Sequence, residues 1–184
     1  MILPIYLTPN NVLRDTSKPI SNEHLTSDEF QKYLDDMIET MLNAEGIGLA
    51  GAQVGNLIRV TVIDKQIIEG IGLDEFRENK SNPNREKKGY PIINPIFQKK
   101  SFKKNIMEEG CLSIPGIYGP VKRPENITIK YLNRSGQSTT LKTDGLLARV
   151  IQHEMDHMDG ILFTDLTKDL TENKEMSANY PIIS

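Results

Sequence analysis

The residues best suited to do chemistry lie near the C-terminal end of the chain, in the stretch VIQHEMDHMDG at 150–160. Within it, His153, Glu154 and His157 fit the pattern H-E-x-x-H. Because residues four apart share one face of a helix, both imidazoles can reach a single metal ion. A catalytic zinc-type centre normally has three protein ligands and an open position for water. The pattern therefore predicts a metal site that still needs a third ligand.

Downstream of this pattern the choices for a third ligand are weak. The protease pattern that continues H-E-x-x-H-x-x-G-x-x-H would need a histidine where this chain has Phe163, which cannot bind a metal. A set of two histidines and one glutamate would use Glu172 or Glu175. Both stand in a polar, weakly patterned tail. A metallopeptidase with either glutamate as ligand stays open as an alternative.

Upstream, the strongest choice is Cys111, the only cysteine of the chain, which stands in the stretch EGCLS. Free cysteine is often only a small buried residue, but a nearby divalent cation would hold it as a thiolate. The sequence favours a site of Cys111, His153 and His157 with water in the fourth position. A metal-binding domain without catalysis is the second alternative, although Glu154 argues against it because a structural site needs no base.

A helix must position the two histidines. We predict that Thr143 or Asp144 caps this helix, that it runs to about Met158, and that Gly160 follows its end. Four residues share its inward face: Leu146, Val150, His153 and His157. Burying two imidazoles and a carboxylate together is costly without a compensating partner, which again favours a metal.

The other elements indicate an α+β fold, with short antiparallel strands packed around a buried C-terminal helix that carries H-E-x-x-H. Thr26 and Glu29 are spaced as a capping box before a helix whose apolar residues recur at helical spacing. The run 58–63 predicts a buried strand, and 127–131 with 137–141 predict a hairpin. We expect one domain over residues 1–184, with an exposed insertion at 70–89 and a short tail at 167–184.

Composition excludes several classes of protein. The net charge is −3, with no basic surplus that would favour nucleic acid and no stretch long enough to span a membrane. The N-terminus has no basic region of the kind that begins a signal peptide. A single cysteine cannot form an internal disulfide. We therefore expect a cytoplasmic protein.

Three motifs occur in order with consistent spacing: GIGLAGAQVG at 46–55, EGCLS at 109–113 and QHEMDH at 152–157. In these motifs the chain resembles the peptide deformylases, metal hydrolases that remove the formyl group from the N-terminal methionine of new bacterial proteins. The resemblance runs from about Pro4 to Asp165. It departs from the usual family pattern at Gly51, which adds backbone freedom two residues before Gln53.

The resemblance implies a role for each matching residue. Cys111, His153 and His157 match the metal ligands, and Glu154 matches the general acid/base. The side-chain amide of Gln53 and the backbone N–H of Leu112 match the groups that face the substrate carbonyl.

The resemblance also implies the ligands of the site. The metal is expected to be ferrous iron, with zinc, nickel or cobalt as substitutes. Ile47, Leu146 and Val150 are expected to wall the methionine pocket, and the peptide should lie extended beside Gly48 and Gly110. The partners implied are N-formyl-methionyl nascent peptides and a transient contact with the ribosome. We expect a monomer in the bacterial cytoplasm, with no direct nucleic-acid site.

Overall fold

The computed structural model describes residues 1–70 and 88–174. Nearly all of the insertion predicted at 70–89, and the tail from 175 onwards, lie outside the described residues. The helices are α1 (Asn22–Leu25), α2 (Asp28–Asn43), α3 (Lys65–Ile68) and α4 (Gly145–Met158). The strands are β1 (Gly48–Ala50), β2 (Val60–Asp64), β3 (Gly89–Lys100), β4 (Lys104–Cys111), β5 (Ile114–Pro124), β6 (Ile127–Leu132), β7 (Ser138–Thr143) and β8 (Thr171–Glu172). The α+β prediction is confirmed.

The strands of the described ranges form two antiparallel sheets, one in the order β1-β2-β3-β6-β7 and the other in the order β4-β5-β8. The predicted hairpin is β6 with β7, in which Ile127 pairs with Thr143 and Leu132 with Ser138. The expectation of short strands is wrong for β3 and β5, which have 12 and 11 residues. Asn94 has a φ of 49°, and register shifts interrupt β3 on both sides of Ile96 and Phe97. These irregularities break the alternation by which a long strand is recognised.

The two long helices bury both faces of β2 in the five-stranded sheet. Val60 and Val62 of β2 pack with α2, whereas Ile63 packs with α4. Neighbouring side chains of a strand point to opposite faces. The helices therefore cover opposite faces of the sheet, which explains why 60–64 is buried at every position. None of the helices in the described ranges is long and apolar enough to cross a membrane.

Helix α2 buries the apolar face that its spacing predicts, with Phe30, Leu34, Met37 and Met41 inside. Its cap differs from the predicted one. Ser27, not Thr26, is the N-cap residue, and its hydroxyl accepts a hydrogen bond from Phe30 N at 3.2 Å. The Thr26 hydroxyl donates to the carbonyl of Glu23 at the end of α1. Serine and threonine are both favourable N-cap residues, with serine slightly preferred, and here the path of the chain places Ser27 at the cap.

Helix α4 begins and ends as predicted, with Asp144 as N-cap residue and Gly160 just beyond Asp159. Gly160 has a φ of 71°, a conformation that glycine tolerates best. A Cβ there would also meet the carbonyl oxygen of Arg14. The N-terminal segment therefore passes directly over the end of α4, where Ser17 N donates to Met158 O at 2.8 Å.

We predict that Gly160→Ala lowers the free energy of unfolding by roughly 1–3 kcal/mol, because it combines backbone strain with a collision against the Arg14 backbone. Gly136→Ala is the matched control, since Gly136 also has a positive φ of 79° but its Cβ would meet only Leu25 at an ordinary 3.4 Å. Urea denaturation of both variants measures the difference. Equal losses would show that the collision with Arg14 is relieved without cost.

Candidate metal centre and active site

Helix α4 and the end of strand β4 bring the three predicted metal ligands together. His153 and His157 stand one turn apart on α4, and Cys111 is the last residue of β4. The Cys111 Sγ lies 3.2 Å from His157 Nε2, and the ligand atoms of all three residues lie within 4.8 Å of one another. Among the described residues, no other group of this kind is found.

The alternative downstream ligand does not reach this cluster. Glu172 is exposed on β8, where it pairs with Ile117 of β5, and Glu175 lies outside the described residues. Phe163, which occupies the last position of the extended protease pattern, is buried with its ring stacked on His153 at 6.2 Å between centroids. Phe163 therefore packs against the His153 imidazole and does not supply a third metal ligand.

The donor set suits a divalent transition metal. The Cys111 sulfur accepts hydrogen bonds from Ser113 N at 3.4 Å and from Gln53 Nε2 at 3.5 Å, which hold it beside the two imidazoles. His153 Nδ1 bonds to Glu109 Oε2 at 2.9 Å, which leaves Nε2 to serve as the ligand atom. One thiolate and two oriented imidazoles match the ligand chemistry of iron, zinc, nickel and cobalt. The residues present therefore fit such an ion.

A buried charge network that the sequence did not predict holds the Glu109 carboxylate in place. Arg123 donates to both Glu109 oxygens at 2.6 and 2.9 Å, and to Asp156 Oδ2 at 2.5 Å. Arg149 donates to Glu109 Oε1 at 2.9 Å. Because Asp156 and Arg149 belong to α4, the network joins β4 and β5 to the helix that carries the histidines. It therefore fixes the distance between Cys111 and the two imidazoles.

Burial and charge shift the pKa values of these groups in opposite directions. Burial would raise the pKa of Glu109, but hydrogen bonds from Arg123 and His153 hold it below its ordinary range. Burial lowers the pKa of His157 well below that of a free imidazole. His153 is also buried, yet its bonds to Cys111 and Glu109 raise its pKa well above the ordinary value. Glu109 is therefore a fixed negative charge beside the histidines.

Glu154 lies beside the three ligands but is not one of them. Burial raises the pKa of its carboxyl to about 7, and its Oε2 is buried with no hydrogen-bond partner in the described part of the protein. Gly48 makes room for it, because a Cβ at that position would lie 2.5 Å from Glu154 Oε1. A carboxyl group with this pKa can both take and return a proton near neutral pH.

The loop that carries Gln53 is held firmly despite Gly51. Gln53 Oε1 accepts from Ala50 N at 2.8 Å, and Nε2 donates to Ser113 Oγ at 3.1 Å. Gly51 is buried, and a Cβ there would lie 2.8 Å from the carbonyl oxygen of Asn56. The glycine thus permits a close backbone approach, and the freedom expected from it is removed by packing.

A cavity of about 580 Å³ opens in front of the cluster. Every predicted substrate-contacting residue lines it: Ile47, Gly48, Gly110, Leu146 and Val150, together with Leu112 and Gln53. The sequence interpretation missed Met107, Tyr118 and Arg149, which also line it. The sequence signal for Arg149 was its place one turn before His153 on the inward face of α4, and that for Glu109 was its place two residues before Cys111.

We predict that Glu109→Gln weakens metal binding by about 10–100-fold, because it removes the charge that orients His153 Nδ1. Glu108→Gln is the matched control, since this neighbouring carboxylate is exposed and should leave the affinity unchanged. Competition with a chromophoric chelator gives the affinities of both variants for zinc and cobalt. Unchanged affinity in Glu109→Gln would mean that the network stabilises the fold without orienting the ligand.

Known proteins of one family match this chain over nearly its whole length. The model of the polypeptide deformylase family matches residues 2–173. The peptide deformylase of Bartonella bacilliformis is 40% identical over 94% of this chain and 88% of its own, and that of Salinibacter ruber is 39% identical over 100% and 95%.

Solved structures of peptide deformylases also match this chain. The Synechococcus elongatus peptide deformylase in complex with actinonin has a TM-score of 0.76 and 37% identity, covering 90% of this chain and 80% of that one. The Acinetobacter baumannii enzyme bound to Met-Ala-Ser has a TM-score of 0.79 and 30% identity, covering 91% and 99%. The chain therefore belongs to the polypeptide deformylase family.

Proposed function

We propose that this enzyme removes the formyl group from the N-terminal methionine of newly synthesised proteins and releases formate, using the cluster around Cys111 and Glu154. Membership of the deformylase family supports the reaction. One observation supports this location: three metal-ligating atoms converge beside a buried carboxylate at the wall of a cavity. A structural metal site would normally be closed by a fourth ligand and would need no such base.

Cys111, His153 and His157 would hold one divalent metal ion, and we propose Fe²⁺ as the native one, with Zn²⁺, Ni²⁺ or Co²⁺ as substitutes. Such an ion, when bound, lowers the pKa of a coordinated water towards ~7 and polarises a carbonyl oxygen. Two borderline nitrogen donors and one soft thiolate accept all four ions.

Glu154 is the proposed general acid and base. It takes a proton from the attacking water, whose oxygen forms a bond to the formyl carbon. When the C–N bond breaks, Glu154 returns this proton to the departing amine. The products are formate and a free N-terminus, so atoms and charge balance. The raised pKa of Glu154, about 7, suits both transfers because a carboxyl group with this pKa both accepts and donates a proton readily near neutral pH.

Gln53 Nε2–H₂ and the backbone N–H of Leu112 are the proposed donors to the negative charge that develops on the formyl oxygen. The position of the Gln53 amide supports this role. Its oxygen is anchored to Ala50 N, so its nitrogen must face Cys111 and Ser113. An amide that is oriented before the reaction needs no reorganisation as charge develops.

The cavity suggests how a formylated peptide would bind. Ile47, Leu146 and Val150 provide an apolar wall for the methionine side chain. Strands β1 and β4 each lie at the edge of their sheet, so both have backbone groups open for pairing. Gly48 stands on β1 and Gly110 on β4, where they allow an extended peptide to approach as an added strand.

We further propose that the enzyme acts as a single-domain monomer in the bacterial cytoplasm, in transient contact with the ribosome. The family model spans 2–173 without interruption, and the relatives named above come from bacteria. The substrate, a nascent chain, requires that the enzyme meet it near its site of synthesis.

We predict that Glu154→Gln retains one equivalent of metal but loses turnover by about 10²-fold or more, because it removes proton transfer without removing a ligand. Glu172→Gln is the control, and both metal content and activity should be normal. Formate release from a formyl-methionyl peptide and metal analysis provide the two measurements. Loss of metal in Glu172→Gln would instead support the metallopeptidase alternative.

We predict that Gln53→Ala lowers kcat by about 10²–10³-fold with a smaller effect on peptide binding, because its donor acts mainly on the transition state. Ser113→Ala removes a hydroxyl that accepts from the Gln53 amide but leaves the Gln53 side chain in place, so it should lower kcat less. The assay compares formyl- and acetyl-methionyl peptides and follows internal cleavage in the same samples. Comparable formyl and acetyl rates, or cutting within the peptide, would contradict deformylation.

A further inference from the structure

Away from the cavity, one surface concentrates positive charge that the reaction does not use. We call it the basic face. It consists of exposed side chains on β3–β7 and on the turn between β3 and β4: Lys99, Phe102, Lys103, Lys104, Lys122, Lys130 and Lys142. We propose that the basic face binds RNA, with the lysines on the phosphate backbone and Phe102 against an unpaired base. This proposal replaces the expectation of no direct nucleic-acid site, which rested on the net charge of the whole chain.

The charge of the chain is divided unevenly along the sequence. Residues 96–142 contain nine lysines and arginines and three glutamates, which gives this segment a charge of +6 in a chain whose net charge is −3. Two of the glutamates, Glu108 and Glu109, stand by the catalytic cavity, and the third is Glu125. The overall negative charge therefore conceals a strongly positive surface.

Acidic residues do little to neutralise this surface. Within the described residues, Lys103 is the only lysine of the basic face that forms an ion pair, with Glu125 at 3.0 Å. Lys100 is not part of this surface, because it pairs with the buried Ile127 and its Nζ lies 3.6 Å from the centre of the Phe97 ring, on the other face of the sheet. A protein surface that only has to remain soluble typically carries charges of both signs mixed together. A surface of one sign instead attracts a partner of the opposite sign.

The strand register places the lysines at adjacent points. Lys99 of β3 and Lys142 of β7 both pair with Thr128 of β6, so they stand two strand spacings apart, about 10 Å. Lys130, two residues from Thr128, is on the same face. In the other sheet, Lys104 and Lys122 share one face of β4–β5, because Lys122 pairs with Ile106, two residues from Lys104. Both sets of lysines are reached from the turn between β3 and β4, since Lys99 lies next to the last residue of β3 and Lys104 begins β4.

Phe102 at the turn between β3 and β4 is fully exposed, at 103% of its reference surface. Two lysines precede the Ser101–Phe102 pair and two follow it, in the stretch KKSFKK. A phenylalanine without packing contacts costs solubility and adds nothing to the core. Aromatic rings among basic side chains are the common means of holding single-stranded nucleic acid, since every base can stack.

RNA is the occupant that we favour among anionic partners. A second copy of the chain is disfavoured because a symmetric contact would oppose lysine to lysine. The choice of RNA over an anionic membrane rests on the proposed function, since an enzyme acting on newly made chains works beside the RNA of the ribosome. The existence of an anion-binding face does not rest on it.

The test measures binding of the intact protein to a fluorescent RNA stem-loop with an unpaired loop. The variant Lys99→Gln/Lys104→Gln/Lys142→Gln should bind about tenfold more weakly or worse, and its salt dependence should fall by a slope of about 2. The matched control is Lys18→Gln/Lys32→Gln/Lys168→Gln, which removes the same charge from exposed lysines elsewhere. It should bind within about twofold of the parent protein, because affinity follows local phosphate contacts rather than net charge.

Phe102→Ser tests the aromatic contact and should weaken binding to the stem-loop but not to a fully paired RNA. Vesicles containing phosphatidylserine test the membrane alternative. Absence of RNA binding, equal losses in both triple variants, or tighter binding to vesicles than to RNA would each overturn the proposal. All variants should keep the parent kcat/KM on a short formyl-methionyl peptide. An inactive parent that still binds RNA through the basic face would refute deformylation alone.

Discussion

The bidentate pair between Arg123 and Glu109 is the interaction on which the site depends. It is buried, and burial of two charges is favourable only when their hydrogen bonds are well satisfied. Here Arg149, Asp156 and His153 complete those bonds. The result is a single rigid connection between the strand that ends in Cys111 and the helix that carries both histidines.

This connection explains how α4 can be buried although it carries so much polarity. One side of the helix packs apolar residues, among them Val150, Ile151 and Met155, against the five-stranded sheet. The other side presents Arg149, Gln152 and Asp156 to β4 and β5. The two sheets are thereby joined through one helix, and the metal ligands lie where the apolar and charged sides meet.

The same arrangement leaves two sheet edges open beside the cavity and separates charge elsewhere on the surface. Strands β1 and β4 are edges of their sheets, and residues of both line the cavity. Exposed lysines gather on β3–β7, although the chain as a whole has a net charge of −3. Net charge therefore says little about what this surface can bind, because local charge decides it.

The sequence by itself determined the fold class, the helix that carries the two histidines and the types of the proposed metal ligands. These depend on spacing along one element, such as the four-residue interval between His153 and His157, or on a residue that occurs only once, such as Cys111. The side chains that surround and orient the proposed ligands could not be predicted from the sequence. Whether Arg149 faces Glu109, or Phe163 stacks on His153, depends on how strands and helix approach across sequence separations of 40 and 10 residues.

Local backbone detail was likewise decided by the tertiary structure. Ser27, not Thr26, is the N-cap residue because the chain turns one residue later than predicted. Gly51 packs closely against the backbone of Asn56, so it does not add the backbone freedom expected from a glycine. Strand β3 was not predicted as one long strand, because its bulges interrupt the period-two pattern. In each case the sequence pattern fits more than one local geometry, and packing against distant backbone selects among geometries that differ by only about 1 kcal/mol.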